Sequence, residues 1–191
     1  MSSIFSDPFF RRGTTLLSGE PIEREGNPAV PVAGTGVVGA VKVFQDVNPY
    51  DGTRYSNRLV YCVAARYKGS TVTDASTVAG RLYVFDATRA LTEFQNQATT
   101  TNATAGIAIG VLDEYLTGEL RQDDIVWLVV KGPTSIQRTA AAVNAGAAVQ
   151  PSTTPGSIQA GTSPVIGQCI ESANTSASAG ATRINLVSDD I

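Results

Sequence analysis

Ile125-Val126-Trp127-Leu128-Val129-Val130 is the stretch on which the fold turns. In a strand, Ile125, Trp127 and Val129 point one way and Val126, Leu128 and Val130 the other. Both faces are apolar, whereas an antiparallel strand with one wet face alternates with polar residues. The strand is therefore expected to be covered on both sides. One cover is a barrel interior; the other is a second sheet, the N-terminal half of the chain, or another subunit.

Working outward, the same character recurs in short pieces. Apolar and β-branched runs stand at 37–44, 58–66, 81–85, 106–112, 125–131, 135–138, 147–150, 164–171 and 182–187. Gly, Pro, Asn or Ser/Thr clusters separate them, as in the turn Asn48-Pro49-Tyr50-Asp51-Gly52. Many short strands at near-regular spacing predict an all-β fold, a small barrel or sandwich with at most one short helix. The helix candidate is 86–97, where Asp86 could cap and Ala90, Leu91 and Phe94 share a face; a loop is the alternative. The Ala-rich 140–148 reads as a turn or a short helix. No length-wise repeat is visible in the sequence.

Residues 1–36 read differently. Pro8, Pro21, Pro28 and Pro31 punctuate them, and proline fixes φ and removes a donor. Yet the segment carries Ile4, Phe5, Phe9, Phe10, Leu16 and Leu17, large apolar groups that it cannot bury alone. It is expected to be an extended arm that binds a partner, with Arg11 and Arg12 reaching acidic groups there. The β-rich domain then spans 37–191, with 37–77 a possible subdomain of its own. An extended segment can join a neighbour's sheet edge by main-chain bonds.

Composition narrows the chemistry. The chain has 191 residues, a net charge of −3, 16% charged residues and no histidine. A chain of this size buries roughly 70% of its unfolded surface, so a core needs no staples. Without imidazole, Ser-His-Asp and Cys-His triads and histidine metal sites are excluded. The acidic balance argues against a nucleic-acid sleeve, which needs a basic stripe. The longest apolar runs, 59–65 and 125–130, fall far short of the ~20 residues of a membrane helix. Cys62 and Cys169 lie in apolar stretches and read as free buried thiols of a protein made in a reducing cytoplasm. No enzyme activity, cofactor or metal is expected.

Motifs that could carry chemistry lack their context. Gly34-Thr35-Gly36-Val37-Val38-Gly39 matches G-x-G-x-x-G, but a dinucleotide site needs a strand before it and a helix after it. Here prolines precede and a strand follows. The acidic pairs Asp113-Glu114, Asp123-Asp124 and Asp189-Asp190 read as solvated loops. Arg54, Arg58, Arg66 and Lys68, interleaved with Tyr50, Tyr55, Tyr61 and Tyr67, form the densest basic stretch, read as a protein interface. Arg54, Tyr55 and Arg58 join the arm as candidate partner-binding residues.

The C-terminal half has a recognisable order. Gly106-Ile107-Ala108-Ile109-Gly110-Val111 is followed by Asp124-Ile125-Val126-Trp127-Leu128-Val129-Val130-Lys131-Gly132. Val143-Asn144-Ala145-Gly146-Ala147-Ala148-Val149, Thr154-Pro155-Gly156-Ser157-Ile158, Val165-Ile166-Gly167-Gln168-Cys169-Ile170 and Arg183-Ile184-Asn185-Leu186 complete it. Over about residues 78–187 this order resembles the small β-barrel modules of tailed-phage capsid decoration, or cement, proteins. The resemblance implies a non-enzymatic virion protein on the exterior of an icosahedral head, bound to the major capsid protein, commonly as a homotrimer, and made in the host cytoplasm. Two rivals stand beside it: a tail or fibre-base β module, which a length-wise repeat would favour, and a carbohydrate-binding or hydrolytic β domain built on carboxylates and exposed aromatics.

Overall fold

The computed structural model describes residues 38–48, 51–86, 92–101, 109–139, 142–171 and 180–187. Among them ten strands form one continuous, all-β sheet system: β1 Val41–Val47, β2 Arg54–Tyr67, β3 Leu82–Phe85, β4 Glu93–Gln97, β5 Ile109–Leu112, β6 Ile125–Arg138, β7 Ala148–Pro151, β8 Ile158–Ala160, β9 Gly167–Cys169 and β10 Gly180–Leu186. Helical backbone among the described residues is confined to a 3₁₀ turn, Ala75–Thr77, and residues 100–101. The arm, residues 1–36, lies outside the described residues.

The pairings close two rings. In the first, β2 pairs β6, β6 pairs β5, β5 pairs β3 and β3 pairs β4, all antiparallel; β4 returns to β2 in parallel at Arg66/Glu93 and Tyr67/Phe94. In the second, β6 pairs β10, β10 pairs β9, β9 pairs β7 and β7 pairs β8; β8 returns to β6 in parallel at Arg138/Ile158. Each ring is a five-stranded barrel, and β6 is common to both. Closure leaves no free edge within either ring, which limits edge-to-edge association.

The two rings have the same topology, with β2 to β6 standing to the first as β6 to β10 stand to the second. The register agrees as well. Tyr83 faces Gly110 in the first ring and Val149 faces Gly167 in the second. Leu112 faces Leu128 and Cys169 faces Ile184; Val111 faces Val129 and Gln168 faces Asn185. Placed this way, Ile109-Gly110-Val111-Leu112 aligns with Ile166-Gly167-Gln168-Cys169. The chain therefore contains a repeat, contrary to the sequence-based expectation. It escapes notice because identity survives at two of these four positions and the loops differ in length.

The two-sided strand is as expected. Ile125, Trp127 and Val129 join a core with Phe44, Val60, Cys62, Ile136, Ile158 and Ile184. Val126, Leu128 and Val130 join the first barrel's interior with Val63, Tyr67, Tyr83, Phe85 and Phe94. So the second cover is the second barrel together with β1. The expected helix over 86–97 is overturned in its C-terminal part. Residues 93–97 are β4, because Phe94 is drawn into the first barrel against Tyr67 and Tyr83, at ring distances of 5.3 and 5.1 Å. Asn144–Ala147 is a turn, closed by Ala147 N–H donating to Asn144 O.

The expected break between 125–131 and 135–138 is absent: β6 runs through Gly132-Pro133, and β10 pairs with it from Gly132 to Arg138. Gly132 makes this possible. Its φ is +101°, and a Cβ there would sit 2.3 Å from Leu59 O. Gly132→Ala is therefore expected to cost about 1–3 kcal/mol from backbone strain alone, read as a lower urea midpoint with native-like circular dichroism. A parent-like midpoint would show that the bend is not set by this residue.

Candidate partner-docking surface

The β1–β2 hairpin stands at the N-terminal end of the sheet. Asn48 N–H donates to Thr53 O, Gly52 N–H donates to Asn48 O, and Gly52 takes a φ of +74°. Arg54, Tyr55 and Arg58 lie together on β2 next to this turn, all three exposed. The Arg54 guanidinium donates to Gln45 Oε1 at 3.1 Å and to Asn57 Oδ1 at 3.4 Å. Tyr55 lies against the Arg183 guanidinium, 4.3 Å from ring centroid to Cζ.

The wider basic stretch does not form one patch. A strand advances about 3.3 Å per residue, so Arg66 and Lys68 lie at the far end of the long β2. There Lys68 Nζ pairs with Asp123 at 2.6 Å and Arg66 donates to Asp123 O. Tyr67 is buried in the first barrel, and Tyr61 lies beside Lys131. Tyr50 lies outside the described residues, as do Ile4, Phe5, Phe9, Phe10, Arg11, Arg12, Leu16 and Leu17.

A buried ionic cluster fixes the hairpin to the second barrel. Arg183 on β10 is its hub and is bonded to Asp46 of β1. Glu114 approaches the same guanidinium at 3.6 Å and Glu171 at 3.9 Å. Ser56 Oγ donates to Asp46 Oδ2 at 2.7 Å, and Ser135 N–H donates to Glu114 Oε1 at 3.2 Å. Burial pushes the Glu114 carboxyl up, against the pull of Arg183 and the Ser135 N–H. Burial opposes charge on Arg183, but Glu114 and Asp46 outweigh it and raise its affinity for its proton. Burial and Glu114 push Tyr115 upward.

The expectation of solvated acidic loops holds for Asp123, which is exposed in a turn, and is overturned for Asp124 and for Asp113-Glu114. Asp113 and Asp124 are buried, and Glu114 is nearly so. Asp113 Oδ1 accepts the Tyr115 N–H and Asp124 Oδ2 the Arg121 N–H, both at 2.8 Å. Short acidic side chains cap their own turns, and a buried carboxylate needs such donors. Asp189 and Asp190 lie outside the described residues.

Glu114 also borders an open cleft of about 220 Å³, between the 3₁₀ turn (Ser76, Ala79), Tyr115, Thr117 and Gln137. It is the one carboxylate lining it, and it is already engaged by Arg183. Among the described residues no three Asp, Glu or Cys side chains converge to hold a metal ion, and no helix is long and apolar enough to cross a membrane. Gly39 of the glycine motif takes φ +84° and leads into β1, a strand where a dinucleotide site needs a helix. Cys62 and Cys169 are both free and buried; burial and Asp113 push the Cys62 thiol up. The buried network and the cysteines' surroundings carry no sequence signal beyond the apolar runs, because partners such as Asp46 and Arg183 are 137 residues apart.

No protein-family model and no curated protein matches the chain. Among solved structures, the N base of head fiber gp8.5 in bacteriophage phi29 is similar at 14% identity and a TM-score of 0.41, over 67% of this chain and 94% of that one. At that level the likeness bears on neither mechanism nor partner.

Proposed function

We propose that the chain is a structural virion protein of a tailed phage that binds the outside of the head and stabilises it, docking through its N-terminal end. The observation that carries this reading is the ordered motif set over about 78–187. Most of its pieces fall on the elements that the cement-protein resemblance implies: the Ile109–Leu112 strand, the Gly146 turn, the Gly156 hairpin turn, the Gly167 strand and the closing strand β10; the hydrophobic strand, which that pattern ends at Gly132, here runs on to Arg138. Gly167 has the close approach such a strand needs, for a Cβ there would meet Asn185 O at 2.5 Å. The docking groups are the arm, with Ile4, Phe5, Phe9, Phe10, Arg11, Arg12, Leu16 and Leu17, and the hairpin residues Arg54, Tyr55 and Arg58. The partner is the major capsid protein, and a homotrimer is the favoured state.

A second reading, a tail or fibre-base module, is favoured by one observation, the repeat of ring topology. Deleting residues 2–30 tests the first. The truncated barrels should remain folded but leave purified heads undecorated or only weakly so in a sedimentation assay. Saturation of heads with parent-like affinity would remove the arm from the docking site.

A further inference from the structure

Lys68, Arg121 and Arg183 each meet a carboxylate. Arg54 and Lys131 meet none among the described residues. Arg54 donates to the neutral side chains of Gln45 and Asn57, and Lys131 Nζ stands 6.0 Å from the centre of the Tyr61 ring. Between these two cations lies an apolar strip on one face of the β1–β2 hairpin. Val41 faces Val63, Val43 faces Tyr61 and Gln45 faces Leu59, and cross-strand partners share a face. Val63 belongs to the first barrel's core and Tyr61 packs against it. Beyond them Val41, Val43 and Leu59 are 53%, 46% and 48% exposed. Arg54 flanks the strip at its Gln45 end and Lys131 at its Tyr61 end. The one carboxylate on the two strands, Asp46, is buried and bonded to Arg183. This face is therefore apolar at its centre and positive at its ends, on a chain that carries 14 basic against 17 acidic residues.

We infer that this face docks a protein surface of the opposite character, an apolar patch flanked by carboxylates. The identity of that partner, the major capsid protein, rests on the virion reading above; the chemistry of the contact rests on the face itself. An apolar centre inside a polar rim is the anatomy of protein interfaces, and unpaired rim charges attract the opposite sign and reject their own. That charge selects among occupants. Two copies of the chain meeting through this face would bring cations against cations. A nucleic acid needs a longer basic track, whereas here aliphatic side chains fill the space between two cations. The ladder to β2 holds Val41 and Val43 on fixed backbone, so docking orders little that is not already ordered. Val41, Val43, Leu59 and Lys131 thus join Arg54 as docking residues.

Sedimentation of the full chain with purified heads tests it. The parent should bind more weakly as salt rises, because screening weakens contacts between exposed charges; this readout needs no variant. Arg54→Glu with Lys131→Glu should weaken binding at least about tenfold, and Val43→Ser with Leu59→Ser by a similar factor, as loss of central interface groups does. Lys68→Glu with Arg121→Glu, an equal change in net charge at other sites, should leave affinity within about twofold, since rim charges away from the contact count for little. Arg54→Lys with Lys131→Arg should bind nearly as the parent does. Melting within a few degrees of the parent identifies the folded variants. Parent-like binding by both the hairpin charge reversal and the serine pair, or equal weakening by the two charge reversals, would overturn the inference and leave the virion reading standing. So would head binding by the parent that is indifferent to salt. Self-association of the parent without heads, abolished by the same substitutions, would assign the face to a second copy, and binding to duplex DNA lost in the hairpin reversal would assign it to nucleic acid; either overturns it. A parent that fails to bind heads at any salt would remove the virion reading, and this inference with it.

Discussion

Arg183→Met should cost about 3–5 kcal/mol, the usual effect of removing one partner from a buried charge cluster. Asp46, Glu114 and Glu171 all face this one guanidinium. With Arg183 gone, two buried carboxylates keep only the Ser56 hydroxyl and the Ser135 N–H as donors among the bonds described above. The loss has a pH signature whose sign follows from Glu114. Its folded-state pKa is raised above its ordinary 4.5, first by burial. A group raised in the folded state favours folding when protonated; that contribution is complete below the unfolded pKa and is lost as pH rises through the folded one. Arg183 is the group pulling Glu114 down, so its removal raises Glu114 further and widens the window toward neutrality. The variant's deficit should therefore be largest at pH 7 and shrink at pH 5 in urea unfolding. Adding Asp46→Asn and Glu114→Gln should recover most of it at pH 7. A deficit equal at both pH values, or one the added substitutions deepen, would show that Arg183 acts by packing alone.

That cluster marks where the sequence stops being legible. The apolar strands announce themselves, since β-branched and aromatic residues bounded by turn residues have few other uses. The two-sided burial of β6 was readable because both faces are apolar at six successive positions. β4 was not, because Glu93-Phe94-Gln95-Asn96-Gln97 offers a single apolar anchor and is held by pairing on both edges. β8, three residues long, is defined only by its place between β7 and β6. The repeat was hidden for a related reason: ring topology conserves register and inside positions, and Leu128 and Ile184 satisfy the same inside position with different residues. Of the candidate docking residues, the neighbourhood of Arg54, Tyr55 and Arg58 was readable from their spacing on one strand. Tyr55's partner Arg183 was not, because a cation–π contact between distant strands leaves no local pattern.

Trp127→Ala should cost about 3–5 kcal/mol, as deletions of large buried aromatic side chains do. The indole is 3% exposed and lies on the face of β6 opposite the first barrel's interior. Phe44 of β1 meets it edge to face at 5.3 Å, an arrangement worth about 0.5–1.5 kcal/mol beyond area. The same core holds Ile136 and Ile184 of the second barrel, so the side chain fills space between units. Truncation would leave a void bounded by three parts of the sheet at once, and none can move in without breaking its own ladder to β6 or β2. A cavity that cannot collapse keeps its full cost. The hairpin should feel the loss first, because Phe44 is its anchor and Asp46, two residues on, carries its ionic tie to Arg183. Hydrogen exchange should show β1 opening more readily in Trp127→Ala than the Tyr67, Tyr83 and Phe94 core of the first barrel. A variant melting within a few degrees of the parent would place the joint between the barrels elsewhere. Uniform acceleration of all amides would show that the two barrels and the hairpin open as one unit.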